Sequence, residues 1–309
     1  EQRQAVMNKF LVAAATLSLA ACSGGNPFED GTDPENPIEP DDGLHVDLAG
    51  DVDSISYNAA TQTLTVSGQS LDNTPYEATY VRTPALDRAG YEAYTSQESS
   101  LGRHHTAYVL ERDGARGAIV MAGGQFGHVF YGSRYSRDGS FDAPPTAQPG
   151  GIVQYAGRYV GLLNGPGDGG NLLPVAAGTP PEVLPSQAAE TTGSILISAD
   201  FSDAITDGII YDRSAPDFPT LTLQDLELAP ADIDMAAGTF EGPVEQNGGS
   251  ATVGTWGGIF GGQDSSAVAG TVYTSGHIED VNNEFEIGLF VLAQCGTANA
   301  DPICNQPNP

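Results

Sequence analysis

The chain is almost without lysine. Lys9 is the only one in 309 residues, against 40 Asp and Glu, and the formal net charge is −29. Phosphate-binding P-loops and Schiff-base sites both need a lysine, so that chemistry is excluded for everything after residue 9. A surface this acidic is repelled by phosphate backbones, which excludes nucleic-acid binding through a basic patch. Helical patterning is missing too: from Asp47 onward no stretch has convincing apolar residues at helical spacing. No His-Glu-x-x-His or Gly-x-Ser-x-Gly string occurs. Carboxylates are so many that pairs such as Asp51 with Asp53, or Asp232 with Asp234, are expected by chance, and no acid–base pair stands out. No catalytic residue, metal ligand or cofactor is therefore assigned, and the chain reads as a binding protein and not an enzyme.

The one long apolar run, Phe10 to Ala21, lies near the start. It follows Met7-Asn8-Lys9 and ends in Leu19-Ala20-Ala21-Cys22, with Ser23-Gly24-Gly25 beyond. A single charge and a short apolar stretch make a signal peptide, too short for a permanent membrane span. The four residues before and at the cut resemble the bacterial lipobox. That resemblance implies cleavage after Ala21 and a lipid (palmitate among its acyl chains) on Cys22, which would be the partner contact with the membrane. Met7 is read as the initiator and residues 1–6 as foreign to the native chain. Ser23 stands where an inner-membrane retention Asp would be, so the resemblance favours the outer membrane and, by extension, the cell surface. Removing residues 1–21 takes away Glu1, Arg3 and Lys9, leaving 9 Arg, no Lys and 39 Asp or Glu.

Of the three cysteines, the lipid claims Cys22. Cys295 and Cys304 remain as an even pair that an oxidising compartment would join around the loop Gly296–Ile303. Two free thiols or half a metal site are the rival readings, although no His lies nearby.

Residues 22–46 are mostly Gly, Asn, Pro, Asp and Glu, a composition that cannot bury enough apolar surface to offset its ordering entropy. They read as a tether. Pro34, Pro37 and Pro40 interrupt its acids, whose spacing fits no EF-hand. Beyond it, Gly, Pro and short alternating apolar runs indicate an all-β protein. A composition break from Asp142 to Gly151 divides it into residues 47–148, a β domain, and residues 149–309, a second β domain with a disulfide-closed tail. In the first, Ser54–Tyr57 and Thr63–Val66 flank the turn Asn58-Ala59-Ala60-Thr61, and further strands run over Ala78–Arg82, Thr106–Glu111 and Gly117–Met121. The second parses into eight strands: Ile152–Leu163, Ser194–Asp200, Ala204–Tyr211, Thr220–Leu228, Gly238–Val244, Ala251–Gly261, Ala267–Tyr273 and Glu284–Leu292. In the last, Phe285, Ile287, Leu289 and Val291 share one face, with Glu284, Glu286 and Gly288 on the other. Eight antiparallel strands can close into a barrel that has no edges and holds at most one small ligand.

Three phrases in the second domain resemble barrel strands of the transferrin-binding protein B family of surface lipoproteins. They are Tyr155-Ala-Gly157-Arg-Tyr159-Val-Gly161, then Ile195-Leu-Ile197-Ser-Ala-Asp200-Phe201 running into Ile205-Thr-Asp-Gly208. The third is Gly254-Thr-Trp256-Gly-Gly258-Ile-Phe260-Gly261, followed by Ala267-Val-Ala-Gly270-Thr271-Val272. The turn between the last two strands, Gln263-Asp264-Ser265-Ser266, departs from the family's Pro-Asn-Ala-Glu-Glu pattern. The resemblance implies an outer-membrane protein with a β handle before an eight-stranded barrel, binding a protein or iron-bearing ligand through handle and barrel loops. The family's transferrin-contacting loops find no match, so no ligand residue is carried over. A carrier of a small apolar molecule inside the barrel, and an envelope structural protein, are the alternatives.

Two local features could carry recognition. Gly165-Pro166-Gly167-Asp168-Gly169-Gly170 matches a Gly-x-Gly-x-x-Gly string, but Asn171-Leu-Leu-Pro174 follows and no helix can begin there to face a pyrophosphate. The segment from Asn164 to Thr192 is instead a long loop, and Gly165, Gly167, Asp168 and Asn171 are its candidate recognition residues. His104-His105 beside Arg103 could ligate haem or a metal, but neighbours on a strand point to opposite faces, so they read as surface histidines. Trp256 and Phe260, four apart on a strand, read as core aromatics.

Overall fold

The structure is a computed structural model describing residues 37–38, 43–70, 74–125, 127–145, 152–246, 251–307 and 309. Cys22, the signal peptide and most of the expected tether lie outside the described residues. Among those residues no helix is long and apolar enough to cross a membrane.

The first sheet contains β1 (Pro37–Ile38), β2 (Val52–Asn58), β3 (Thr63–Gln69), β4 (Pro75–Arg82), β5 (Glu92–Ser96), β6 (His105–Arg112), β7 (Ala115–Ala122) and β8 (Tyr131–Arg137), paired in that order. A single helical turn, α1 (Val46–Ala49), precedes β2. The β2–β3 hairpin forms because Leu64 and Val66 alternate into a core while the Asn58 side chain accepts from the Thr61 N–H at 2.7 Å and fixes the turn. β8 returns beside β2, where the Asp51 N–H donates to the Tyr131 carbonyl at 2.8 Å and Arg134 donates to the Asp53 carbonyl. The sheet is thereby nearly closed.

The second sheet is a closed antiparallel barrel of eight strands. They are β9 (Ile152–Pro166), β10 (Ala188–Asp200), β11 (Ile205–Ser214), β12 (Leu226–Asp234), β13 (Thr239–Gln246), β14 (Thr252–Gly261), β15 (Ala267–Ser275) and β16 (Phe285–Ala293). The chain adopts the all-β architecture and eight-stranded barrel expected from the alternation, and the handle-like first domain that the resemblance implied. Two strands are displaced from the reading. The fourth barrel strand runs over 226–234, not 220–228, with Pro230 at its centre. That proline sits where the register of β12 shifts against both neighbours, which is how a strand accommodates a residue without an N–H. β10 begins six residues earlier than its apolar run, at Ala188.

Trp256, Phe260, Phe240, Tyr155 and Phe201 fill the barrel, with ring centroids 4.8–5.6 Å apart from Phe201–Phe260 through Tyr155–Phe260. The Trp256 indole N–H donates to the Ala229 carbonyl at 3.1 Å, so even its polar edge is satisfied. A carrier of a small apolar ligand needs that interior space, and this packing overturns the carrier alternative.

Handle and barrel share a core. Every residue of β7 is buried: Ala118, Val120 and Ala122 face the handle interior, while Ala115, Ile119 and Met121 pack on the outside of the barrel. Their barrel partners include Ile287, Leu289 and Val291. The apolar row of the last strand therefore faces the handle, and its Glu286 row turns into the barrel.

One side chain completes the seam between β16 and β9. The ladder runs from Glu286 opposite Leu163 to Leu289 opposite Val160. Continued, that register would set Val291 against Arg158. The Tyr91 hydroxyl stands between them, accepting from the Val291 N–H at 3.0 Å and donating to the Arg158 carbonyl at 2.8 Å. The ladder resumes at Tyr155 opposite Gln294. Tyr91→Phe keeps the ring in its cluster and removes only this bridge. We expect a loss of about 1–3 kcal/mol in urea unfolding; an unmoved midpoint would show that the seam closes without the hydroxyl.

Candidate recognition site

The two barrel ends differ. At one, connections are tight: 201–204, 235–238 and 262–266. At the other, three of the four are long: 167–187, 215–225 and 276–284, with the five residues 247–251 as the short one. Strand reversal needs only a few residues, so the additional chain at the second end serves something else.

Local hydrogen bonds shape those loops. The Glu284 carboxylate folds 276–284 back on itself: Oε1 accepts from the Ile278 N–H at 2.9 Å and from the His277 N–H. The Asn164 amide ties that loop to β9, donating to the Asn283 carbonyl at 2.8 Å and accepting from the Phe285 N–H at 3.0 Å. In 215–225, the Phe218 N–H donates to Ala215 and the Leu221 N–H to Phe218, both at 2.9 Å. Leu163, Ala215, Leu223 and Ile278 form a small apolar cluster with Phe218 and Leu221 against it. Between these loops lies a cleft of about 460 Å3, lined among others by Phe218, Leu221, Ile278, Val281 and Glu284. That volume is in the range of small-molecule and side-chain pockets.

Below Glu284 a chain of buried polar groups enters the barrel. His277 Nδ1 lies 3.3 Å from Glu284 Oε1, and His277 Nε2 lies 3.3 Å from Arg213 Nη2. Arg213 Nη2 pairs with Glu286 Oε2 at 2.7 Å, both side chains fully buried. The hydroxyls of Tyr159 and Thr191 donate to Glu286 Oε1 at 2.6 and 2.8 Å. Burial alone would raise the Glu286 carboxyl. The Arg213 guanidinium, His277 and the Tyr159 hydroxyl outweigh it and hold the carboxyl at about 2. Nη2 can only donate, so a neutral His277 would accept from it at Nε2, whereas a protonated ring would turn the same nitrogen to Glu286 Oε2, 3.6 Å away.

The candidate loop residues are not brought to one place. Gly165 lines the cleft, where an added Cβ would lie 3.4 Å from the Phe218 ring. The Gly167 N–H donates to the Gln187 carbonyl at 2.8 Å. Asp168 is exposed and accepts from the Gly170 N–H at 2.8 Å. Asn171 faces the handle, its Oδ1 2.8 Å from His104 Nε2. Further bonds lay the loop 167–187 on the handle: Leu173 N–H to Gln97 Oε1 at 2.8 Å, Gln125 Nε2 to the Val183 carbonyl at 3.0 Å, and Ser186 Oγ to the Gly124 carbonyl at 2.9 Å.

His104 and His105 point to different groups, but they are buried, not surface residues. Their strand lies under the loop on one side and over Tyr76, Tyr80 and Phe130 on the other, so both faces are covered. Burial, with the nearby His104 and Arg103 charges, pushes the His105 imidazole down to about 3. Cys295 and Cys304 are joined by a disulfide with Cα atoms 5.5 Å apart, and the Cys295 N–H donates to the Gln154 carbonyl at 2.8 Å.

Sequence reading placed Glu284 and Glu286 on one strand face but did not find Arg213, His277 or Tyr159 as their partners. The available signal was scarcity. In a chain with so few arginines, one within a strand is worth pairing with a carboxylate, although Asp212 and Ser214 on either side of Arg213 give no local sign of its burial.

No family model and no curated protein matches the sequence. Among solved structures the chain is similar to a double mutant of transferrin-binding protein B from Haemophilus parasuis Hp5, at 10% identity and a TM-score of 0.39. The match covers 79% of this chain and 54% of that one. It is also similar to isotype 1 transferrin-binding protein B from serogroup B Neisseria meningitidis, at 13% identity and a TM-score of 0.35, over 79% and 52% of the two chains. A protein of unknown function from Nostoc punctiforme is similar at 10% identity and a TM-score of 0.24. The chain spans about half the length of the two transferrin-binding proteins.

Proposed function

We propose that this chain is a lipoprotein, anchored to the outer membrane through Cys22, that binds a protein or iron-bearing ligand with the loops of its barrel and handle. The inequality of the two barrel ends carries this reading. Long loops and an apolar cleft gather at one end, while the interior is filled and leaves recognition to the surface. The acidic composition, with no lysine after Lys9, keeps such a protein soluble and directs it away from nucleic acid.

Protease treatment of intact cells, followed by blotting, tests the location and the anchor together. We expect the wild-type signal to be lost from intact cells and a Cys22→Ala variant to be no longer retained in the membrane fraction. Protection until the outer membrane is broken would place the protein in the periplasm and refute recognition at the cell surface.

A further inference from the structure

The buried polar chain beneath the cleft holds more carboxylates than permanent cations. It holds two carboxylates, Glu284 and Glu286, and one guanidinium, Arg213, which pairs with Glu286. His277, 3.3 Å from Arg213 Nη2, 3.3 Å from Glu284 Oε1 and 3.6 Å from Glu286 Oε2, is a cation only when protonated. Glu284, the member that lines the cleft, has no arginine paired with it. Its side chain is 3% exposed. Glu284 Oε1 is occupied by the His277 and Ile278 N–H groups, whereas Oε2 has no hydrogen-bond partner among the described residues. A buried carboxylate oxygen left in that state costs free energy that a donor would recover.

We infer that the cleft binds an aliphatic ammonium, its hydrocarbon stem against Phe218, Leu221 and Ile278 and its head on Glu284. This rests on the reading of the loop-rich end as the recognition surface. The chemistry selects ammonium over guanidinium. A guanidinium uses both oxygens of a carboxylate in a fork, and here only one oxygen is free, which suits a compact point charge. The apolar cluster beside the carboxylate suits a stem of several methylenes, and the acidic chain attracts cations to the mouth. The same group occurs on a lysine side chain of a partner protein and on a free alkylamine.

Ligand-observed NMR on the full chain would compare n-hexylammonium with 1-hexanol, which shares the stem and lacks the charge. We expect hexylammonium to bind about tenfold more tightly or better. Glu284→Gln keeps an oxygen for the two backbone N–H groups and should abolish that preference while leaving hexanol binding unchanged. Phe218→Ala should weaken both ligands. Equal binding of the two probes to the native protein would overturn the inference whether or not the Gln variant folds. So would a preference that survives Glu284→Gln. Either result would leave the surface reading to the protease experiment. Tighter binding of Nα-acetyl-lysine methylamide than of hexylammonium would assign the site to a protein lysine, and the reverse order to a free amine.

Discussion

Arg213→Met is expected to destabilise the protein by about 3–5 kcal/mol at neutral pH, the usual cost of leaving a buried charge without its partner. The pH dependence should also change sign. In the native protein Glu286 is held at about 2, below its ordinary 4.5. Its contribution to stability is complete above 4.5 and is lost as pH falls towards 2. Without the guanidinium, the largest of the opposing contributions, burial gains over His277 and the Tyr159 hydroxyl and is expected to raise the carboxyl above its unfolded value. The unfolded state then binds fewer protons than the folded one through that window, so acidification recovers stability. Urea midpoints at pH 7 and pH 4 would show the deficit shrinking at the lower pH. Arg213→Met combined with Glu286→Leu should regain most of the loss, because an apolar pair of similar volume needs no compensation. A deficit equal at both pH values would mean that the variant admits water to Glu286.

Gly123→Ala should have the second largest effect, through the loop and not the barrel. Gly123 follows β7, and an added Cβ would lie 1.5 Å from the Ser186 carbonyl oxygen and 2.2 Å from its carbon. Backbone must move, and it is the backbone that lays 167–187 on the handle. Overpacking of this kind costs about 1–3 kcal/mol or more, and the loop should become cleavable under limited proteolysis. Gly124→Ala is the matched control, since its Cβ would meet Val129 and Ser186 side chains only at 3.7 and 3.9 Å. If both variants resist protease equally, the loop is held by something other than this contact.

Strand content and the hairpins were legible because alternation reports a half-buried strand directly. The limits appear where a strand is buried on both faces. β16 has an apolar row and a row containing Glu286, and alternation assigns the charged row to solvent. The handle covers the apolar row, so the charged row turns inward and becomes tolerable only through Arg213, 73 positions away. No local pattern specifies that pairing. β8, with Ser133 and Arg134 in its middle, went unread for a similar reason. Arg134 is buried, but its donors go to backbone carbonyls of Asp53 and Ser133, partners that a sequence window cannot reveal. The cleft was approached through Gly165, while the carboxylate that gives it chemistry lies more than a hundred residues downstream.

The Tyr91 rung also has a meaning in time. β9 and β16 are the first and last strands of the barrel, so their seam is the closure with the greatest loop entropy to overcome. Until it forms, both edges stand open to pairing with other chains. Tyr91, Ile119 and Met121 come earlier in the chain, on a sheet whose strands pair in sequence order and can form first. That sheet then offers the arriving β16 an apolar bed and a hydroxyl set at the spacing of a missing rung. If that sheet forms first, the handle acts in this sense as the barrel's mould.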